Sequence, residues 1–477
     1  MNEWRSASRR LIGLVALAAI IAGIAWMARA GASTPLISAS PIAQATTTVF
    51  RGVSVIPMDT ERVLPNQSVV VENGRISAVG PASTVAEPAG ATIVEGAGKF
   101  LIPGLAEMHA HIPTSDQGAE AVERTLFLYL AGGVTTIRGM LGHPSHLELR
   151  SRSESGEIVA PRIFTSGPSF SGQTAGSATA AAEMVRQQHT AGYDFLKLHP
   201  GLSRPVFDAI AAEADRLGVP FAGHVSAAVG VDRALEAGYA SIDHLDGYVE
   251  ALAGFGQGFL DANSGFFGFN LIDRVDPSRI PVLARATADA GVWNVPTQSL
   301  MESLASPTDP AEMARWPEMR YMPRQTVEQW VGRKRDFMGD AGYTPERAAR
   351  YLQVRRQMIL ALHEAGAGLV LGSDAPQWWN VPGFSARREL EYMVTAGLTP
   401  YQALEMATRN PARYFDAADD WGTIAPGRSA DLLLLDANPL EDITNLWRQA
   451  GVMAKGQWIP ATEVQRRLDE IATTLGN

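Results

Sequence analysis

The chain has 477 residues, 46% of them hydrophobic, with a formal net charge of −10 and no cysteine. Its length and apolar content are sufficient for one large barrel domain and a smaller second domain. No basic tract is long enough to indicate a nucleic-acid partner. The lack of cysteine excludes disulfides and thiolate metal ligands, so any metal must be held by histidine, carboxylates or a modified lysine.

Residues 1–30 have the composition of a secretory signal peptide. Three arginines precede an uncharged stretch over residues 11–28, and Ala30 completes a small-x-small cleavage site. The alternative is an uncleaved anchor, because about 18 apolar residues can just span a bilayer. Cleavage predicts a periplasmic or secreted protein. Without cleavage, the chain would contact the membrane only through this segment, and the rest would lie outside the cytoplasm.

Short alternating runs near both ends of the chain predict one small β-sandwich domain, built from residues 46–102 and 420–460. The pair Asn73-Gly74 stands between two such runs and is a strong signal for a two-residue hairpin. Residues 461–477 are expected to form a C-terminal helix.

Residues 103–415 alternate between short apolar strands and helical stretches, which predicts an α/β fold with a (β/α)8 TIM barrel. Several helices end in glycine just before the next strand, which is a C-cap signal. The eight strand candidates are residues 104–108, 134–138, 162–165, 195–199, 220–223, 241–243, 292–296 and 368–372.

Two insertions interrupt this alternation, at residues 247–280 and 301–347. Both follow strands on the face where barrel enzymes place their sites, so we expect them to form a lid. The alternative is that they pack against a partner subunit, since the sequence leaves the oligomeric state open and allows a homo-oligomer.

Residues that can bind a metal occur at or just past the ends of five of the predicted strands. They are His109, His111, Lys197, His224, His244 and Asp374. His109 and His111 are two residues apart, so both can face the barrel axis. Each histidine alone could be a core residue, and Lys197 could instead form a salt bridge. As an ordered series at one barrel mouth, these residues predict a two-metal hydrolytic site.

With this motif set, residues 46–460 resemble the amidohydrolase superfamily, in its binuclear-metal branch with a carboxylated lysine. The resemblance implies that His109, His111 and Asp374 bind the more buried metal, and that His224 and His244 bind the more exposed one. Lys197, as N6-carboxylysine, would bridge both metals. Zinc is the expected metal, and manganese or iron suit the same ligands. Asp374 would pass a proton from the bridging water to the leaving amine.

Weaker candidates surround this set. His199, two residues after Lys197, could contact substrate or orient a ligand. His143 could reach substrate or be a solvated loop residue. Tyr248 could donate to an oxyanion, and Trp378 could form an apolar substrate wall or anchor a loop. One residue departs from the family pattern, because position 139 is glycine where the resemblance predicts aspartate.

The expected function is therefore that of a metal-dependent hydrolase that cleaves an amide C–N bond by attack of a metal-bridging hydroxide. The chain looks most like prolidase-like and imidazolonepropionase-related amidohydrolases, some of which cleave dipeptides or N-acyl amino acids. One alternative is a cyclic-amide hydrolase resembling hydantoinase or dihydroorotase, against which the short step from His224 to His244 argues. The other is a metal-dependent binding protein without turnover, against which the intact Asp374 argues.

Overall fold

The computed structural model describes residues 47–254 and 264–476. The predicted signal peptide, residues 1–30, and residues 255–263 of the first insertion lie outside the described residues. Within the two described ranges, every helix is too short or too polar to cross a bilayer.

Most strands of the described ranges are short, and those of the central region are separated by helices. The strands, numbered in chain order, are β1 Thr48–Val55, β2 Leu64–Glu72, β3 Arg75–Pro81, β4 Thr92–Glu95, β5 Phe100–Pro103, β6 Leu105–Ala110, β7 Val134–Gly139, β8 Arg162–Thr165, β9 Leu196–Leu198, β10 Phe221–Gly223, β11 Ser241–Asp243, β12 Trp293–Val295, β13 Leu432–Leu435, β14 Gln449–Ala454 and β15 Gln457–Pro460.

The α-helices lie mainly between and after these central strands. They are α1 Ala119–Ala131, α2 Ser145–Glu154, α3 Ala178–Ala191, α4 Arg204–Leu217, α5 Gly230–Glu236, α6 Tyr248–Leu252, α7 Ile280–Asp289, α8 Gln298–Ala305, α9 Pro310–Met313, α10 Arg324–Gly339, α11 Pro345–Ala365, α12 Phe384–Thr395, α13 Pro400–Ala407, α14 Arg409–Tyr414 and α15 Ala461–Thr474. Five 3-10 segments in the described ranges are Ser115–Gln117, Phe266–Arg274, Pro277–Arg279, Pro317–Tyr321 and Ile443–Trp447.

Strands from both ends of the chain pair in one mixed sheet, in the order β15-β14-β13-β5-β1-β2-β3, with β4 beside β1. β13 joins the two ends, because it pairs antiparallel with both β5 and β14. The predicted hairpin is confirmed. Glu72 pairs with Arg75, and Asn73 and Gly74 between them both have positive φ (51° and 76°), as a two-residue turn requires.

The strands of the predicted β-sandwich form one hydrogen-bonded sheet. This sheet folds over on itself, because the rings of Phe50 on β1 and Trp458 on β15, four strands apart in the sheet order, are only 5.1 Å apart. Its division into two facing layers stays a prediction. The side chains of β13 show what each face of the sheet contacts. Leu432 and Leu434 belong to the apolar cluster of the sheet itself, whereas Leu433 and Leu435 belong to the large core shared with the central region. One face of the sheet therefore encloses the sheet's own apolar cluster, and the other face packs on the central region.

The central region has the predicted alternation of strands and helices. Seven of the eight strand candidates correspond to β6–β12, which form two parallel sheets, β6-β7-β8 and β12-β11-β10-β9. Isolated parallel bridges, such as Ser166 with Phe195, connect the two sheets. The structure therefore shows an α/β arrangement of barrel type whose hydrogen-bond ladder is not continuous.

The eighth candidate, residues 368–372, is not a regular strand. It still makes backbone hydrogen bonds to both sheets, with Val370 N donating to Asn294 O (3.0 Å) and Met108 N donating to Leu371 O (2.7 Å). This segment lies between β12 and β6 and brings Asp374, which follows it, to the same end of the strands as His109.

The described parts of both insertions lie over these strand ends. Phe267, in the 3-10 segment of the first insertion, has a left-handed backbone (φ 47°, ψ 44°), and its ring centroid is 5.1 Å from that of His244. Helix α10 of the second insertion carries Trp330, whose ring is 6.2 Å from that of Trp379. Their predicted role as a lid stays a prediction.

The variant Leu433→Ala should destabilise the protein, because Leu433 is fully buried where β13 meets the central region. Removal of such a leucine costs about 2–5 kcal/mol. Relaxation is restricted, since a Cβ on the facing Gly133 would lie only 2.9 Å from Leu433 Cδ2. We expect a lower midpoint of thermal unfolding followed by circular dichroism. The control Val282→Ala, at a side chain 71% exposed, should change the midpoint little. Equal midpoints for the two variants would contradict this role of β13.

Candidate metal site

The six predicted metal ligands converge at the carboxyl ends of the parallel strands. They are His109 on β6, His111 just after it, Lys197 on β9, and His224, His244 and Asp374, each of which directly follows a strand or the eighth segment. This common location follows from the parallel direction of the strands, whose carboxyl ends lie on one face.

Two glycines of the motifs are needed for close approach. A Cβ at Gly223 would lie 2.4 Å from Leu198 O and 2.9 Å from Lys197 Cδ, and Gly223 also has a positive φ of 126°. A Cβ at Gly372 would lie 2.9 Å from His109 Cβ. The glycine before His224 and the glycine two residues before Asp374 therefore let neighbouring ligand-bearing segments pack together.

His109, His244 and Asp374 form the tightest group, with potential ligand atoms within 4.8 Å of one another. All three residues are buried. The ring centroids of His109 and His244 are 4.5 Å apart, and His109 Nε2 is 3.4 Å from Asp374 Oδ1. This group combines residues that the resemblance assigns to two different metals.

Asp374 extends the group on both sides. Its Oδ1 is 2.6 Å from His111 Nε2, and its Oδ2 accepts a hydrogen bond from Gln377 Nε2 (2.7 Å) and lies 3.9 Å from His244 Nδ1. The carboxylate thus faces histidines from both halves of the predicted ligand set. The backbones of Asp374 and His244 have positive φ (67° and 64°), a strained conformation that occurs at functional sites.

Outer partners orient the imidazoles. His224 Nδ1 is 3.0 Å from Asp246 Oδ2, and His244 Nδ1 is 2.9 Å from Thr297 Oγ1. These contacts leave the Nε2 atoms of both rings directed away from the outer partners. Such outer contacts set the tautomer and orientation of metal-binding histidines.

Lys197, Asp243 and Arg138 form a fully buried charged group beside the histidines. Asp243 Oδ1 accepts from Arg138 Nη2 (3.1 Å), whereas Asp243 Oδ2 lies 2.9 Å from His109 Nδ1 and 3.7 Å from Lys197 Nζ. Within the described residues, Asp243 Oδ2, His109 Nδ1 and Lys197 Nζ make no contact with the geometry of a hydrogen bond.

Burial sets the protonation of the site. It lowers the pKa of His109 and His244 well below the usual range and that of His224 to about 3, and the charge of Lys197 contributes in each case. Burial also lowers the pKa of Lys197 to about 8, although Asp243 acts in the opposite direction. These three imidazoles are therefore held neutral, which is the form that binds metals.

The donor set fits divalent metal ions. Buried nitrogen atoms without a hydrogen-bond partner are concentrated here: His109 Nδ1, His111 Nδ1, His244 Nε2 and Lys197 Nζ. Leaving such atoms unsatisfied costs about 1–3 kcal/mol each, so a cluster of them indicates a bound group. Neutral imidazoles next to a carboxylate are the ligands that zinc prefers.

A cavity of about 130 Å³ opens beside this group, and its lining includes His111, Gln377 and Trp378. Phe266, in the first insertion, has its ring 4.9 Å from that of Trp378 and 4.3 Å from that of Phe267. The aromatic side chains therefore form an apolar cover next to the polar ligands.

Of the four weaker sequence candidates, two lie near the ligands or the cavity and two do not. His199 lies near the ligands, with its ring 5.2 Å from that of His224 and its Nδ1 2.7 Å from Ser169 Oγ, and Trp378 lines the cavity. His143 instead contacts Ser145, 2.9 Å away. Tyr248 is buried with its hydroxyl 3.0 Å from Thr287 Oγ1 on α7, so the structure does not bring it to the ligands.

Several residues of the site were not identified from the sequence. Asp243 and Asp246 flank His244 in the motif Ile-Asp-His-Leu-Asp, so the acidic residues next to the histidine were an available signal. Arg138 precedes the unexpected Gly139. No local signal marks Thr297, which meets His244 only through the pairing of β11 with β12.

Comparison with protein families gives a match over residues 100–459 to the one described as "Amidohydrolase family". An adenine deaminase from Chelativorans sp. is 26% identical over 393 residues, which are 81% of this chain and 54% of that protein. The chain thus spans about half the length of this relative. An ochratoxinase from Aspergillus niger is 24% identical over 465 residues, covering 89% of this chain and 90% of that protein.

Solved structures have the same fold. A Bifidobacterium longum protein described as a prolidase superposes with a TM-score of 0.64 at 26% identity, over 89% of this chain and 99% of that chain. A Xaa-Pro dipeptidase with bound methionine has a TM-score of 0.61 at 20% identity, over 87% of this chain and 100% of the other.

Replacing Arg138 with methionine should destabilise the protein strongly, because it removes the cationic group closest to the buried carboxylate of Asp243. Breaking a buried ion pair in this way costs about 3–5 kcal/mol. We expect a clear drop in the midpoint of thermal unfolding. The same substitution at the exposed Arg315 should have little effect. Restoration of stability in the double variant Arg138→Met with Asp243→Asn would support the pair, and an unchanged midpoint for Arg138→Met alone would refute it.

Proposed function

The chain belongs to the amidohydrolase family, and we propose on that premise that it is a metal-dependent hydrolase that cleaves an amide C–N bond. One observation carries the proposal: His109, His244 and Asp374 lie together, buried, with ligand atoms within 4.8 Å of one another. A binding protein without turnover would not require Asp374, which contacts the histidines on both sides.

Two divalent metal ions, with zinc as the first candidate, are the proposed cofactors. His109, His111 and Asp374 would hold one ion, and His224 and His244 the other, through imidazole nitrogens not used by outer partners. Support comes from the Nδ1 contacts of His224 with Asp246 and of His244 with Thr297, which leave Nε2 available on both rings. When bound, such ions lower the pKa of water and polarise a carbonyl.

Lys197 is the proposed bridge between the ions, as N6-carboxylysine. Its side chain is fully buried, and its Nζ has no hydrogen-bond partner among the described residues. The ammonium group would first lose one proton, and the neutral amine would then add carbon dioxide and release a second proton. A cation that repels metals would thus become a carboxylate that binds them. Gly223 leaves the space along the lysine stem that this position requires.

Asp374 is the proposed proton carrier. Gln377 binds its Oδ2 and His111 lies against its Oδ1, so the carboxylate is fixed in orientation. It would accept a proton from the attacking water and donate it to the nitrogen of the leaving amine. Phe267 and Trp378 would limit the access of bulk water and so strengthen the charge interactions in the site.

An acyclic amide, such as a dipeptide or an N-acyl amino acid, is the proposed substrate class. The ochratoxinase and the prolidase-type structure, each similar over 89% of this chain, support this class. The adenine deaminase relative supports it less, because this chain matches only 54% of that protein. Export from the cytoplasm, indicated by residues 1–30, is part of the proposal.

The first test is hydrolysis of a panel of dipeptides, N-acyl amino acids and cyclic imides by the zinc-loaded protein, with loss of substrate measured by chromatography. We expect turnover of acyclic amides and a fall in kcat of about 10²–10⁴-fold in Asp374→Asn, since an amide cannot accept the proton. The control Asp436→Asn, at an exposed residue, should keep wild-type activity. Equal rates for wild type and Asp374→Asn would contradict the proposal.

The second test measures metal content and affinity. We expect about two equivalents per chain, fewer in Lys197→Ala, and about 10–100-fold weaker zinc binding in Asp246→Asn, because this change removes the partner that orients His224. Asp208→Asn, on the surface helix α4, is the control. One equivalent in the wild type, unchanged in Lys197→Ala, would exclude a bridging lysine.

A further inference from the structure

The cavity next to the metal ligands has an unusual charge distribution. Among the described residues that line it, Arg124 of α1 and Arg333 of α10 carry charge, and no aspartate or glutamate does. A larger cavity of about 460 Å³ elsewhere in the protein provides a contrast, because its lining arginines, Arg387 and Arg388, are accompanied by Glu318 and Glu391. The cavity at the metal site is therefore cationic, and the larger one is not.

The positive charge of Arg124 is compensated only weakly by negative charges within the protein. Its side chain is 17% exposed, and its ion pair with Glu120, one helical turn away, is long at 3.7 Å. Burial lowers the pKa of Arg124 despite Glu120, and burial also lowers the pKa of Arg333. Both residues line the cavity, where a partly desolvated guanidinium group binds an anion more strongly than an exposed one does.

The remainder of the lining is suited to an apolar group. Trp330 and Trp378, which are 6% and 7% exposed, lie on its wall together with Leu128 and Met322. A volume of about 130 Å³ is close to the ~150 Å³ of an apolar cavity that accommodates a benzene ring. His111 and Gln377 also belong to the lining, so the cavity adjoins the proposed metal site.

We propose that Arg124 and Arg333 bind the carboxylate of an amide substrate whose apolar or aromatic side chain lies against Trp330 and Trp378. This inference rests on the proposed hydrolysis and narrows its substrate class to N-acyl amino acids and dipeptides with a free carboxylate. Helix α10, which carries Arg333 and Trp330, belongs to the insertion at residues 301–347. This insertion therefore contributes to substrate specificity in addition to covering the site.

The test compares a carboxylate with its neutral counterpart. N-acetyl-L-phenylalanine and N-acetyl-L-phenylalaninamide are titrated against the zinc-loaded Asp374→Asn protein, with tryptophan fluorescence or calorimetry as the readout. We expect the acid to bind about 10–100-fold more tightly than the amide, as charge-assisted hydrogen bonds predict. Arg124→Gln and Arg333→Gln should each remove most of this preference, whereas Arg124→Lys and Arg333→Lys should keep part of it.

The control is Arg335→Gln, which removes the same charge from an exposed position of the same helix. It should leave the preference unchanged. Equal affinity for the two probes, or a preference that persists in both glutamine variants, overturns the inference, since the latter would mean that the carboxylate binds the metals alone.

Turnover by the wild-type enzyme separates this inference from the proposed function. Hydrolysis of both probes with equal kcat/KM would support the proposed function and overturn the carboxylate site. An arginine-dependent preference in binding, without hydrolysis of either probe by the wild type, would support the carboxylate site and contradict the proposed function. If the enzyme hydrolyses the acid, the arginine variants should raise KM more than they lower kcat, because they remove binding that is common to substrate and transition state.

Discussion

The buried ion pair between Arg138 and Asp243 is the interaction on which the arrangement of the site depends. Arg138 belongs to the three-stranded sheet and Asp243 to the four-stranded one, so the pair crosses the gap between two sheets that are otherwise linked by isolated bridges. Arg138 also donates to Met108 O (2.6 Å) and to the hydroxyl of Tyr414 (2.7 Å), which fixes the strand that carries His109. A buried ion pair contributes little net stability but holds its partners in one geometry, because any displacement exposes an uncompensated charge to the interior.

The second oxygen of Asp243 connects this pair to the proposed chemistry. It faces His109 Nδ1 and Lys197 Nζ, so one carboxylate is adjacent to a proposed ligand of the buried ion and to the proposed bridge. Asp246 and Thr297 occupy the corresponding position behind His224 and His244. The imidazoles are thus held by outer partners on three different strands or loops, and their common orientation reflects the packing of the sheet ends more than any one motif.

The sequence predicted the elements that depend on local patterns. Seven strands, the Asn73-Gly74 hairpin and the convergence of the six candidate ligands follow from periodicity, turn chemistry and the parallel direction of strands. Two features depend on long-range packing that local patterns do not specify. The sheet folds over on itself so that Phe50 meets Trp458, while Leu433 packs against the central region. Tyr248 contacts Thr287 because the short helix α6 turns its side chain toward α7, which no local pattern specifies.

The residues that we assign to substrate binding belong to the part that the sequence could not predict. Arg124 is an ordinary helical residue in sequence, and Arg333 lies in an insertion between strands, so only the folded chain brings both to the wall of one cavity. This separation has a physical consequence. The ligands on the strand ends are constrained by the buried charges around them. Helix α10 is attached to the frame by separate contacts, such as Trp330 with Trp379 and Lys334 Nζ with Ser303 O (2.6 Å). Changes in the insertion can therefore alter which carboxylate is bound without disturbing the geometry that would cut the amide.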